Sequence, residues 1–138
     1  MEEKYKKMIE IALGNLDKSY APYSLFNVSA VVLMSSGKMY SGVNVENLSY
    51  SVTICAERNA LFHAVAEGER EVKAVAVVGG INGKIEDYCY PCGSCRQALS
   101  EFCDSKECVV ICAKTPDDYQ KYTLDELLPS QPNMEIKK

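Results

Sequence analysis

The sequence predicts an α/β fold in which helices cover both faces of a mixed sheet. Three observations point there. The apolar patterns run in the order helix, hairpin, helix, strand, helix, strand, a candidate further strand and a short final helix. The 138 residues show no linker, repeat or low-complexity tract, so residues 1–138 are expected to form one domain. A composition of 47% hydrophobic and 25% charged residues is that of an ordinary globular chain, which argues against disorder or a fibrous repeat. At this length folding buries roughly two-thirds of the unfolded surface, enough for a core without disulfide staples.

Each element has its own signal. Tyr5, Ile9, Ala12, Leu13 and Leu16 share one stripe at helical spacing, with Lys and Glu opposite. Asp17 to Ser24 breaks that pattern, and Pro22 biases its predecessor away from helix. Val28 to Met34 is mostly β-branched or apolar, Ser35-Ser36-Gly37-Lys38 reads as a turn, and Met39 to Val43 as the returning half of a hairpin. A second helix is expected to begin near Thr53 or Cys55 and run through Ala60, Leu61, Ala64 and Val65 to a stop at Gly68. Val72 to Val78 reads as a buried strand closed by Gly79-Gly80. After a polar stretch come Tyr90, Pro91 and a helix carrying Ala98, Leu99 and Phe102. Cys108 to Cys112 is a short strand and Tyr119 to Tyr122 a candidate for another. Thr123-Leu124-Asp125-Glu126 fits a capping box opening a last helix that Pro129 ends.

Charge and cysteine usage narrow the function classes. Fifteen basic against nineteen acidic side chains leave −4, not the basic footprint of a nucleic-acid binder. No window approaches about 18 uninterrupted apolar residues, so no membrane span is expected. Met1-Glu2-Glu3-Lys4-Tyr5 does not read as a signal peptide. The expected location is therefore the reducing cytoplasm, where disulfides are rare. Seven cysteines, an odd number, then mean metal binding, catalysis or plain burial.

The strongest chemical signal combines Cys55-Ala56-Glu57-Arg58 with Pro91-Cys92-Gly93-Ser94-Cys95. Cys92 and Cys95 have the two-residue gap that lets two thiolates reach one metal, and Cys55 can supply a third. Alone, a C-x-x-C is equally a redox pair, half a zinc ribbon or coincidence. The remote Cys with Glu two positions on, both at an expected helix start, sharpens it. Within a helix, positions i and i+2 face different ways, but over a first turn they can converge on a metal beyond the helix end. Pro91 suits the approach to the next helix, so two N-termini, with their unpaired N–H groups and positive dipole ends, face one group of thiolates. Three thiolates and Zn²⁺ sum to −1, and Arg58 is the natural compensating charge, although an Arg at an arbitrary helix start is usually only solvated. Three protein ligands leave a fourth position for water, as at catalytic zinc. Glu57 is then the proton carrier, whereas an isolated first-turn Glu is usually only a dipole partner.

The pairing of Cys-Ala-Glu-Arg with Pro-Cys-Gly-x-Cys-Arg resembles the zinc-dependent cytidine deaminases, small enzymes of free nucleosides. The resemblance runs from about Tyr20 to Pro129. It takes in Tyr20-Ala21-Pro22-Tyr23-Ser24, Gly42-Val43-Asn44-Val45-Glu46-Asn47, Cys55 to Leu61 and Pro91 to Gln97. It implies a three-layer α/β/α sandwich around a five-stranded mixed sheet. The implied cofactor is Zn²⁺ on Cys55, Cys92 and Cys95, with Glu57 catalytic. The implied reaction is hydrolytic deamination of cytidine and deoxycytidine to the uridine products and ammonia, a step of pyrimidine salvage. Many small relatives with three Cys ligands are homotetramers whose sites borrow residues from neighbouring subunits.

Substrate recognition has a signal of its own. In an extended Val43-Asn44-Val45-Glu46, Asn44 and Glu46 share one face, where a carboxylate accepts from sugar hydroxyls and an amide both donates and accepts. Two solvent-facing polar residues of an edge strand would look the same. The resemblance assigns these positions to the ribose, Phe26 to the pyrimidine, and Ala56 to the substrate as well. Phe26 could equally be a core residue.

Other readings remain open at this stage. Cys89 could close the metal site as a fourth ligand, which would leave Glu57 without a task. Cys103, Cys108 and Cys112 lie in apolar segments and read as small buried side chains. His63 lies eight residues beyond Cys55, about 12 Å along one helix, too far to share its metal. Relatives carry an aromatic soon after the Leu-Leu-Pro that matches Leu127-Leu128-Pro129. Here Ser130 to Met134 contains none, and Tyr88, Tyr90 or Met134 is expected to take its place over the substrate. A deaminase of a modified cytosine nucleoside is the rival within the enzyme class. A structural zinc module and a polynucleotide-editing deaminase are the rivals outside it.

Overall fold

The structure, a computed structural model, describes residues 1–130. Helix α1 (Glu2–Asn15) buries Tyr5, Met8, Ile9 and Ala12, the stripe set by its 3.6-residue period. The hairpin β1 (Phe26–Met34) and β2 (Met39–Val43) follows, then α2 (Ala56–Ala66), β3 (Val72–Ile81), α3 (Gly93–Ser100), β4 (Val109–Thr115), β5 (Asp118–Thr123) and α4 (Leu124–Leu127). The five strands form one mixed sheet in the order β2-β1-β3-β4-β5. Only β3 and β4 run parallel, and α3 makes the crossover between them.

Alternation along the central strands builds the three layers. Val31 and Leu33 of β1 and Ala74, Ala76 and Val78 of β3 pack beneath α1. Ala30, Val32, Met34, Val75 and Val77 point the other way, onto Ala60, Leu61 and Ala64 of α2 and Leu99 of α3. With both faces covered, the central strands read as nearly continuous apolar runs. Among the described residues, no helix is long and apolar enough to cross a membrane.

The structure departs from the sequence reading in instructive places. Strand β3 does not stop at Gly79-Gly80: Gly79 pairs with Val28 and Gly80 with Asn27. A Cβ on Gly79 would lie 3.1 Å from both Cys89 Sγ and the Phe26 ring, and one on Gly80 only 1.9 Å from the Lys84 carbonyl oxygen. These glycines allow close approach rather than ending a strand. Phe102 falls just beyond α3, its N–H on Leu99 O and its carbonyl accepting from Val72 N–H at 2.8 Å. The capping box opens α4 as expected, with Thr123 N–H donating to Glu126 Oε1 at 2.7 Å.

Candidate active site

Two helix starts meet at the site. Cys55 is the N-cap of α2 and Cys92 the N-cap of α3, both in extended conformation, with Cys95 in the first turn of α3. Their carbonyls accept the first helical bonds, from Asn59 N–H at 3.1 Å and Arg96 N–H at 3.0 Å. Cys55 Sγ lies 3.6 Å from Cys92 Sγ, which lies 3.5 Å from Cys95 Sγ, and all three sulfurs are within 4.8 Å of one another. Zinc–sulfur bonds of about 2.3 Å at tetrahedral angles place sulfurs about 3.8 Å apart, so the cluster fits zinc. Among the described residues no fourth His, Cys, Asp or Glu joins it.

Charge is arranged to suit thiolates. Arg58 Nη2 donates to Cys55 Sγ at 3.5 Å, and Cys55 and Cys92 stand at the N-termini of α2 and α3, the positive ends of the helix dipoles. A hydrogen bond from Cys95, with Arg58 and Cys92 adding to it, pulls the Cys55 thiol down to about 5, while Cys95 as donor is pushed up. The buried Arg58 Nε has no hydrogen-bond partner among the described residues. Arg96, unassigned by sequence reasoning, bonds Pro91 O and Leu127 O at 2.7 Å each, so it fixes the backbone leading into Cys92 against α4.

Beside the sulfurs opens a cavity of about 270 Å³. Phe26, Asn44, Glu46, Cys55, Ala56, Glu57 and Cys92 all line it, although the sequence spreads them over 67 positions, from 26 to 92. Cys95, the third sulfur of the cluster, is fully buried. Glu57 is only 4% exposed, and burial pushes its carboxyl up to about 7. The 44–46 segment is stitched on both sides: Tyr20 N–H donates to Asn44 O at 3.0 Å and Tyr20 O accepts Glu46 N–H at 2.9 Å, while Val45 and Ile54 exchange backbone bonds of 3.0 Å.

Asn44 is already engaged within the chain. Its Oδ1 already accepts the Ser19 hydroxyl and, at 3.0 Å, Val28 N–H, while its Nδ2 donates to Phe26 O at 2.8 Å. The amide oxygen is filled, so Asn44 has one N–H left to donate and nothing left to accept with. The cause is long-range: the partners come from the preceding loop and β1.

Sequence reasoning also passed over Ser24, Val28, Thr53 and Ile54, which line the same cavity. Ser24 stands inside the Tyr-Ala-Pro-Tyr-Ser run but had no local signal of its own. Cys89 lines the wall outside the sulfur cluster, and burial pushes its thiol up to about 12. Cys103 is half-buried, and Cys108 and Cys112 are buried. His63 is exposed, its ring edge-on to Tyr40 at 5.1 Å. Tyr90 lines the cavity and is braced on β5, where its hydroxyl donates to Gln120 Oε1 at 2.8 Å. Tyr88 instead bonds Asp118 and lines a separate hollow with Phe26 and Lys84. Met134 lies outside the described residues.

The family model of the cytidine and deoxycytidylate deaminase zinc-binding region matches residues 2–112. The chain belongs to the cytidine deaminase family. A cytidine deaminase of Halalkalibacterium halodurans is 42% identical over 122 residues, 88% of this chain and 89% of that one. A probable cytidine deaminase of Dictyostelium discoideum is 39% identical over 128 residues, covering 93% and 83%. The crystal structure of the Burkholderia pseudomallei cytidine deaminase superposes with a TM-score of 0.78 at 38% identity, covering 90% of this chain and 95% of that one. The five-stranded α/β fold is thus that of the cytidine deaminases, and zinc-dependent hydrolytic deamination of cytidine is the enzyme class of the family.

Proposed function

We infer that this chain hydrolyses cytidine and deoxycytidine to uridine and deoxyuridine with release of ammonia, with Cys55, Cys92 and Cys95 holding zinc and Glu57 as the catalytic acid and base. The observation that carries this reading is the convergence of a three-sulfur cluster, a buried carboxyl and a sugar-sized polar pair on one cavity. Zinc held by the three sulfurs would supply Lewis-acid chemistry, making water acidic enough at neutral pH to serve as the nucleophile toward ring C4. Glu57 takes a proton from that water and hands it to ring N3. It then carries the second water proton to the amino group, which leaves as ammonia. A carboxyl held near neutrality by burial suits both directions of transfer.

The remaining side chains bind and orient. Phe26 offers a ring to the pyrimidine, and Ala56, fully buried at the helix start, leaves room against the backbone. Asn44 has a free donor and Glu46 free acceptor capacity for sugar hydroxyls. Arg58 offsets the negative sulfur cluster. The chain acts as one domain in a reducing cytoplasm, which suits three thiol ligands, and serves pyrimidine salvage. A homotetramer is supported by exposed Tyr20, Tyr23, Leu25, Val45, Leu48 and Tyr50 on the two segments beside the cavity.

The test follows the ultraviolet change as purified zinc-loaded protein meets cytidine and deoxycytidine, with Glu57→Gln alongside. Wild type is expected to turn over both, and Glu57→Gln to lose at least about 100-fold in kcat while keeping its zinc. Undiminished turnover in Glu57→Gln, or no turnover in wild type with zinc bound, would overturn the reading.

A further inference from the structure

Glu46 is gripped by one short loop. Its Oε1 accepts the N–H groups of Tyr23 at 3.0 Å and Ser24 at 3.1 Å, and its Oε2 accepts the Ser24 hydroxyl at 2.5 Å. The same Ser24 Oγ accepts the Phe26 N–H at 3.0 Å. A serine hydroxyl has a single proton to give, and here Glu46 receives it. One side chain thereby ties a carboxylate and an aromatic residue that line the same cavity, and Ser24 itself lines it.

The backbone is bent to make this possible. Leu25, between Ser24 and Phe26, has φ +63°, a left-handed conformation that is strained for a non-glycine residue. Packing does not explain it, since Leu25 is 47% exposed. Two backbone bonds hold the bend, Leu25 N–H to Ala21 O at 2.9 Å and Asn82 N–H to Leu25 O at 2.7 Å. The bend folds Ser24 back over the Phe26 amide.

A carboxylate has about four acceptor positions, and this loop fills three, two on Oε1 and one on Oε2. We propose that Ser24 is a positioning residue for the nucleoside sugar: its hydroxyl locks Glu46 with one acceptor position on Oε2 left for a single sugar hydroxyl, and holds that group in register with Phe26. The proposal rests on the nucleoside reading of the cavity. Without the Ser24 hydroxyl, Glu46 gains a torsional freedom that substrate binding must freeze again. Zinc, Glu57 and the sulfur cluster are untouched.

The experiment is a double-mutant cycle on the zinc-loaded enzyme with cytidine. Ser24→Ala is expected to raise KM about 10-fold, the range of a hydrogen bond to a charged group, with kcat within about 2-fold. Ser24→Thr, which keeps the hydroxyl, is expected to restore KM to within about 3-fold of wild type. In a Glu46→Ala background, Ser24→Ala should change KM by less than about 2-fold, because its effect runs through Glu46. Equal KM effects in both backgrounds, a fall confined to kcat, or an unchanged KM would overturn the proposal. Wild type that binds zinc yet ignores cytidine would instead overturn the nucleoside reading, so the two failures are told apart.

Discussion

Gly42→Ala tests whether sheet packing sets the position of the catalytic helix. Gly42 of β2 pairs with Ala30 and lies against the backbone of α2. A Cβ there would sit 2.3 Å from Ala60 N and 2.8 Å from Ala56 O. Neither contact is the movable end of a side chain, so helix and strand must separate by about 1 Å to reach ordinary van der Waals distance. The start of that helix is Cys55-Ala56-Glu57-Arg58, so the displacement reaches the proposed ligand, proton carrier and compensating charge together. Overpacking of this kind costs about 1–3 kcal/mol, a fall in melting temperature of roughly 4–12 °C for a chain this size. A misplacement of about 1 Å at reacting groups can cost about 100-fold in rate. The assay is a thermal melt of the zinc-loaded variant at fixed protein concentration, with steady-state kinetics on cytidine. Expected is a lowered melting temperature with a kcat loss of about 10-fold or more. An unchanged melt and unchanged kcat would refute the claim that Gly42 sets the α2 position.

Cys55→Ala and Cys95→Ala are each expected to reduce bound zinc from one per chain to a small fraction at micromolar protein, by metal analysis after gel filtration, because two sulfurs are a poor site. Full retention in either variant would remove that residue from the ligand set. Stripping zinc with a chelator should abolish turnover and lower the melting temperature, since binding to the folded state alone stabilises it, and zinc should restore both. Tyr90→Ala is expected to raise the cytidine KM roughly 2- to 10-fold through loss of an aromatic wall, whereas Tyr88→Ala should leave it nearly unchanged. The opposite ranking in KM would assign the wall to Tyr88.

What the sequence disclosed was what short-range chemistry writes into it. The α1 stripe, the hairpin around Gly37 and the Thr123–Glu126 capping box depend on residues within a few positions of each other, and each appears in the structure. The sulfur cluster was legible because two helix starts carry recognisable spacings. Gly79 and Gly80 misled because the atoms that require glycine, Cys89 Sγ and Lys84 O, belong to a returning loop that no local pattern places there. The Ser24 grip on Glu46 spans 22 residues, and the Tyr90 brace on Gln120 spans 30. For Asn44 the sequence supplied the residue type but not the inventory of groups it already serves. Its neighbours Ser19, Val28 and Phe26 reach it only through the fold.

The two motifs at the centre of the site are one geometric device used twice. Cys55 and Arg58 stand in the N-cap and third helical positions of α2, as Cys92 and Cys95 do in α3. Those two positions face each other across a first turn, the relation that a capping box exploits with hydrogen bonds. In α3 the pair brings two sulfurs to 3.5 Å, and in α2 it brings a guanidinium to 3.5 Å from the third sulfur. In the proposed site one helix therefore contributes two negative ligands, and the other a negative ligand with its own counter-charge. Zinc with three thiolates carries −1, and Arg58 with the two helix ends brings the surroundings back toward neutrality. Glu57 occupies the position between, where α3 has Ser94. A second carboxylate in α3 would add negative charge to a cluster that with zinc already carries −1, so the uncharged Ser94 opposite Glu57 agrees with the electrostatics of the two helix starts.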